Sequence, residues 1–258
     1  MSPLLTRRRL LIGSALAAPP VILGLSGQLP AVGRSINTAK RTFLASGERF
    51  SNAVHSSIGR TALAREFAPE DISPHFRTNG ATEANSPDWL LAQEKNFATW
   101  SLKLDGLFNA PQRFPLAQLR AMPARSQITR HDCVEGWSAI GGWTGVPLSA
   151  LLNAAGLAAD ARYIVFWCAD VFRGWQYYES IDLIDAFHPQ TILAYDMNNA
   201  PLPVGHGAPL RLRVERQLGY KHAKFVTRIQ AVASLETLGQ GKGGFWEDVS
   251  GYEWFAGI

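Results

Sequence analysis

Two cysteines occur in the 258 residues, and their surroundings differ sharply. Cys168 lies inside an apolar run, 163–169, and reads as a buried thiol. Cys133 lies in Ile128-Thr129-Arg130-His131-Asp132-Cys133-Val134-Glu135-Gly136-Trp137, where charged and polar side chains crowd it. Arg130 and His131 would favour the thiolate, the form that ligates metals or attacks substrates, while Asp132 and Glu135 oppose it. Such a thiol could ligate a metal, act as a nucleophile with a His distant in sequence, or pair with Cys168 in a disulfide. A zinc site is disfavoured, because no Cys-x-x-Cys or His-x-x-x-His spacing occurs among the two Cys and six His. A lone disulfide would add little to a chain long enough to build its own core.

A second cluster runs from Asn198 through Pro201, Pro203, Gly205, His206, Gly207 and Pro209 to Arg211, and resumes as Gly219-Tyr220-Lys221-His222-Ala223-Lys224. Gly and Pro set tight turns there. Arg211, His222 and Lys224 supply cations and donors suited to a phosphate, so an anionic cofactor would fit. The glycine-rich stretch 239–244 shows no following helix and is not read as a nucleotide loop. No Cys-x-x-Cys-His haem attachment occurs, so any electrons must leave to another protein.

The elements that must hold these residues are strand-like runs punctuated by Gly and Pro: 100–104, 163–168, 210–214 and 225–232. Two short helices stand out, Leu116–Ala121 after Pro115 and Leu148–Ala155 between Pro147 and Gly156. The pattern is α+β in one domain, without repeats or the strand–helix alternation of a doubly wound sheet. Residues 28–75 read as an N-terminal arm wrapping the surface, with a short helical piece over 61–67. Hydrophobic content of 47% excludes global disorder, and eight Trp suit a core or a cleft for flat ligands.

Charge and the N-terminus are linked. The formal charge is +4, but Arg7, Arg8 and Arg9 stand together at the start and the remaining charges nearly cancel. No basic cluster with interleaved aromatics is present, which excludes a nucleic-acid footprint. Those arginines precede an uncharged apolar stretch, 10–25, that reads as the h-region of an export signal spanning 1–27. Paired arginines before leucines resemble the twin-arginine signal of proteins exported already folded, often with a cofactor inside. The expectation is a periplasmic protein, tethered to the membrane where the signal stays uncleaved.

Together, Cys133-Val134-Glu135-Gly136-Trp137-Ser138 and Trp143-Thr144-Gly145-Val146-Pro147-Leu148 resemble the molybdenum-cysteine segment of sulfite oxidase-like molybdopterin oxidoreductases, the exported methionine sulfoxide reductases above all. The likeness covers 76–258 and implies the sulfite oxidase-like molybdopterin-binding fold, mixed β-structure with short helices. It implies a molybdenum–molybdopterin cofactor with Cys133 as thiolate ligand, a soft donor suited to a redox metal. By the same resemblance His206 and Arg211 contact the cofactor, His222, Ala223 and Lys224 bind its phosphate, and Asn79 in Phe76-Arg77-Thr78-Asn79-Gly80 binds the pterin. Cys168 stands where the reductases have Thr and is expected at the cofactor's edge.

Two departures bear on substrate: Asp132 replaces an Arg before the ligand Cys, and His206 replaces an Asn. An acidic neighbour would weaken binding of anionic sulfite, which makes a sulfoxide the first expectation and sulfite the second. The expected reaction is oxygen-atom transfer to or from a small-molecule oxo donor or acceptor, with electrons exchanged with an external haem protein, either a membrane haem subunit or a soluble cytochrome. Arg130 and His131 are expected to face the substrate. The sandwich domain through which sulfite oxidases dimerise has no counterpart before Ile258, which favours a monomer. The rival readings are a non-catalytic pterin- or ligand-binding protein of this fold and a Cys-dependent hydrolase.

Overall fold

The computed structural model describes residues 62–258 except 173, together with several positions between 42 and 54. Internal contacts divide the chain into 1–46 and 47–258. Residues 42, 43 and 46 of the first unit are helical, and every element below belongs to the second. The expected signal, 1–27, lies outside the described residues. Among those described, no helix is long and apolar enough to cross a membrane.

Among the described residues, ten strands form two five-stranded sheets. The first contains β1 (Ser101–Gly106), β2 (Gln112–Pro115), β5 (Tyr163–Phe172), β6 (Trp175–Asp182) and β10 (Val226–Val232), in the order β2-β1-β10-β5-β6. The second contains β3 (Arg125–Asp132), β4 (Ser138–Pro147), β7 (Ile192–Met197) and β8 (Ala200–Pro201) in that order, with β9 (Arg211–Arg213) also paired to β7. Among these strands β1 and β10 run parallel, and the other pairs are antiparallel. The helices are short: α1 (Pro87–Glu94), α2 (Leu116–Ala121), α3 (Leu148–Ala155), α4 (Leu183–Ala186) and α5 (Phe245–Ser250). This is the α+β architecture read from the sequence.

Helix α3 shows why the elements pack as they do. Leu148, Leu151, Leu152 and Ala155 recur at helical spacing, and all four are buried. Gly156 ends the helix at φ 66°, a conformation glycine adopts without a side-chain clash. The buried stripe joins Leu102 and Leu104 of β1, Ile164 and Phe166 of β5, and Leu193 and Leu212 of the second sheet in one cluster. That cluster ties both sheets together, with each Leu contributing about 1.5–3 kcal/mol of burial.

Two expectations are corrected. Residues 62–67 are not helical, and Glu66 bridges Thr129 of β3. The side chain of Gln190 bonds both the N–H and the C=O of Ala64, and Phe67 N–H donates to Ile128 O at 2.9 Å. These tertiary bonds claim the backbone groups a helix would have used. Second, a helix does follow the glycine-rich stretch, namely α5. The stretch is still no nucleotide loop, because its Gln240 and Lys242 N–H groups are taken by the Asp248 carboxylate of that helix, at 2.9 and 3.2 Å.

Candidate active site

Strands β3 and β4 pair in continuous register from Arg125↔Gly145 to Asp132↔Ser138, so residues 133–137 form the hairpin tip. Cys133 N–H donates to Trp137 O and Gly136 N–H to Cys133 O, both at 2.9 Å. Gly136 sits at φ 86°, where a side chain would be strained. The turn presents Cys133 to a cleft of about 560 Å³. Around that cleft stand Arg77 and Asn79 from the segment before α1, Glu135 from the tip, Asp170 of β5, Tyr177 of β6, and His222 and Lys224 after β9. Asp170 reaches it because the β5–β6 register shifts between Trp167 and Val171, a bulge that re-aims one side chain.

Both cysteines are free thiols, so the disulfide alternative is not formed. Burial pushes the Cys133 thiol above its ordinary value; the Glu135 backbone hydrogen bond and Arg77 oppose this, and the Glu135 carboxylate adds to it. That corrects the expectation of a thiolate favoured by Arg130 and His131. Strand alternation gives the reason. Arg130 points outward and pairs with Asp132 at 2.9 Å, while His131 faces inward and is 1% exposed. Neither borders the cleft, nor does Asp132, whose other oxygen accepts from Ser138 Oγ at 2.6 Å. The acids that do border it are Glu135 and Asp170.

His131 is locked by a buried chain. Arg213 donates to its Nδ1 at 3.0 Å, and Arg213 itself is held by both oxygens of Glu215. A guanidinium has no acceptor, so Nδ1 accepts and the imidazole proton rests on Nε2. Burial, Arg213 and Arg211 all hold His131 neutral. Its ring lies against Gly219, where a Cβ would meet Nε2 at 2.4 Å and Asp132 O at 3.2 Å. Gly219→Ala is therefore expected to lose about 1–3 kcal/mol by overpacking and to displace the turn carrying His222. Urea unfolding of Gly219→Ala, with and without His131→Ser to make room, checks this; additive losses would mean that the two positions do not clash.

The remaining expected residues gather close by. Asn79, His222 and Lys224 line the cleft, whereas His206, Arg211, Ala223 and Cys168 do not border it. Arg211, fully buried, donates to His206 O at 3.0 Å and lies 5.0 Å from the Trp143 ring centre. Cys168 is fully buried, and Ala223 is buried with its N–H on Lys221 O. His222 Nε2 lies 3.0 Å from Gln217 O, so the proton is on Nε2 and Nδ1 is a bare acceptor. Several buried polar atoms find no partner among the described residues: Asn79 Oδ1, His206 Nδ1, Arg211 Nε and His222 Nδ1. A buried polar group without a partner costs about 1–3 kcal/mol, so the two at the cleft, Asn79 Oδ1 and His222 Nδ1, mark a place built for a polar ligand.

Charge supports the same reading. Lys224 is 7% exposed and donates to the carbonyls of Ala81 and Gly205. Burial first and Arg211 second push it down to about 7, with Asp170 only partly offsetting them. Between that value and the unfolded lysine near about 10.4, the unfolded chain binds the extra proton, so stability rises with pH across that window. Below it the whole penalty remains. Cofactor-free wild type is expected to gain about 1–3 kcal/mol relative to Lys224→Met between pH 6 and pH 9, measured by urea unfolding. Parallel pH profiles for the two proteins would contradict a buried ammonium. An anion bound at this lysine would cancel the effect.

Sequence reasoning missed Arg213, Glu215, Trp143, Tyr177 and Asp170. Arg213 was within reach, since Arg211-Leu212-Arg213 in a strand puts both guanidinium groups on one face, and both approach Trp143. Asp170 carried a fainter signal as the acid that closes an apolar run.

Residues 90–237 match the family described as the oxidoreductase molybdopterin binding domain. This chain belongs to that family. Among curated relatives, a protein-methionine-sulfoxide reductase subunit, YedZ1, of Azospira oryzae is 41% identical over 64% of this chain and 58% of its own length. The protein-methionine-sulfoxide reductase catalytic subunit MsrP of Xanthomonas campestris is 34% identical over 56% of this chain and 48% of its own. The chain thus spans about half the length of the curated relatives it matches. Among solved structures, the sulfane dehydrogenase SoxCD of Paracoccus pantotrophus aligns with a TM-score of 0.48 at 22% identity, over 53% of this chain and 39% of that one.

The donor set fits a molybdopterin. The unpartnered Asn79 Oδ1 and His222 Nδ1 would meet the heteroatoms of a pterin, and Lys224 would meet its phosphate charge. Of the two cysteines only Cys133 borders the cleft, so it is the one that would offer the metal a protein sulfur.

Proposed function

We propose that this chain is an exported molybdenum–molybdopterin oxidoreductase that reduces sulfoxides, the substrate class in the relatives' names. The observation that carries the reading is the convergence of one free thiol, Cys133, with unpartnered Asn79 and His222 and the unneutralised Lys224 around one cleft. When bound, the cofactor supplies a two-electron couple and oxygen-atom transfer chemistry. Cys133 holds the metal from a hairpin tip fixed by two backbone bonds, a rigid mount for a ligand. Asn79, His222 and Lys224, which line the cleft, would hold the pterin and its phosphate. Sulfoxide reduction consumes two protons and releases water. Asp170, pushed up to about 6 chiefly by burial, can hold one of these protons on its carboxyl at the cleft wall. Electrons come from an external haem protein, and the arginine-led N-terminus directs the folded protein to the periplasm.

The mouth favours a neutral substrate over sulfite. Phe172 and Trp246 border both this cleft and an adjoining hollow of about 260 Å³ that also includes Trp175 and Val249. Trp175 is 58% exposed. An aromatic ledge beside two cleft acids suits a thioether sulfoxide on a polypeptide better than a small dianion. The raised Cys133 thiol, with His131 turned away and neutral, opposes the Cys-hydrolase reading.

The test is elemental analysis of protein made with competent cofactor synthesis and export, followed by turnover with a reduced viologen. About one molybdenum per chain, with viologen oxidised on adding a methionine-sulfoxide peptide, is expected. Molybdenum without turnover on sulfoxide or sulfite would favour the non-catalytic binder, and absence of molybdenum would sink the proposal.

A further inference from the structure

A second cleft, of about 640 Å³, lies between α1 and the first sheet, and it takes no part in the site above. Its floor carries an unusual row of charges. Lys103 of β1 is in register with Arg113 of β2 on one side and with Arg228 of β10 on the other, so three cations stand abreast on adjacent strands. Like charges directly opposite across strands are destabilising. One carboxylate tempers the row: Asp105 accepts from Arg228 at 2.8 Å and from Lys103 at 2.6 Å. Lys95, just past α1, adds a fourth cation to the lining, against Asp88 as the acid on the wall. Neither Lys95 nor Arg113 has an ion-pair partner among the described residues.

A second observation points to a ligand. Trp100 borders the cleft and is 6% exposed, yet its indole N–H has no acceptor. A buried donor without an acceptor is costly, and an arriving carbonyl or carboxylate would relieve it. The cleft is also long. It reaches from Arg113 on β2 to Gln176 on β6, the two edges of the sheet. At about 4.8 Å per strand this is roughly 19 Å, the length of about six residues of extended chain. The cations occupy one part, while Leu91, 57% exposed, and Val171 supply apolar wall.

We propose that this cleft docks an extended acidic segment, about six residues long, of a partner protein. Length favours a polypeptide over a single small anion, and uncompensated positive charge fixes its sign. Strand β5 borders both clefts, with Ala169 and Val171 lining this one and Asp170 and Phe172 the other. A docked partner therefore contacts the same strand that borders the candidate active site. The proposal does not depend on which reaction that site performs.

The experiment uses the full protein and a fluorescein-labelled hexaglutamate peptide, followed by fluorescence anisotropy. Binding is expected at low salt, weakening by about tenfold or more between 50 and 200 mM salt. Lys95→Glu with Arg113→Glu is expected to weaken it by about tenfold or more, while Arg65→Glu, a charge reversal elsewhere on the surface, leaves it unchanged. Both altered cleft residues are exposed, and thermal unfolding of each variant verifies that the fold is retained. No binding, equal losses in the control and cleft variants, or displacement by inorganic phosphate at matched ionic strength would overturn the proposal, the last outcome marking a small-anion site instead.

Discussion

Cys133→Ala is expected to abolish oxygen-atom transfer, by about 100-fold or more, while leaving the fold nearly intact. The side chain sits at a hairpin tip, and the bonds shaping that tip, Cys133 N–H to Trp137 O and Gly136 N–H to Cys133 O, are backbone bonds that alanine keeps. The stability change should stay near about 1 kcal/mol, the ordinary range for losing one small side-chain atom. The pterin should remain, because Asn79, His222 and Lys224 are untouched. Pterin content, read from the fluorescence of its oxidised product, and molybdenum content therefore separate two roles. Retained pterin with lost turnover supports Cys133 as the metal's protein ligand. Unchanged turnover would remove it from that role, and joint loss of pterin and metal would make the thiol an anchor for the whole cofactor.

How much of this was legible follows from local physics. Leu116–Ala121 and Leu148–Ala155 appear in the structure with the expected bounds, because each has Pro at its start and a periodic apolar face. The polar crowding around Cys133 marked a turn, and Gly136 made that turn possible. What the linear sequence hid was direction. His131 and Arg130 are neighbours in the chain and opposites in the strand, so one joins a buried ion chain and the other meets water. Period-two alternation could have separated them. No such rule places Asp170 in the cleft, since its direction depends on a bulge that only the pairing of β5 with β6 defines. Nor could sequence show that Gln190 would capture residues 62–67, because that contact joins positions more than a hundred residues apart.

The largest stability loss is expected from Lys221→Met, at about 3–5 kcal/mol, because it breaks a fully buried ionic triad. Lys221 Nζ lies 2.6 Å from Glu247 and 2.7 Å from Glu179, and all three side chains are out of solvent. Burial disfavours the ammonium, but the two carboxyls outweigh it and hold Lys221 above its ordinary value. Burial, with Glu247 beside it, pushes Glu179 well above the usual carboxylate range despite Lys221. A folded-state value above the unfolded one means the folded protein binds the extra proton, so this contribution weakens as pH rises above about 4.3. Removing the ammonium takes away the charge that favours ionised Glu179, so the loss should be smaller at pH 5 than at pH 8 in urea unfolding. Lys221→Met combined with Glu179→Gln and Glu247→Gln should recover much of it, since no buried charge is then left unpaired. A uniform loss at both pH values, unrelieved in the triple variant, would instead reflect packing alone. The triad also matters for the site: Lys221 belongs to the Gly219–Lys221 turn beneath His222, and Glu247 neighbours Trp246 on α5, so one buried ammonium pins two walls of the cleft. Its loss should therefore lower cofactor retention even in the protein that remains folded.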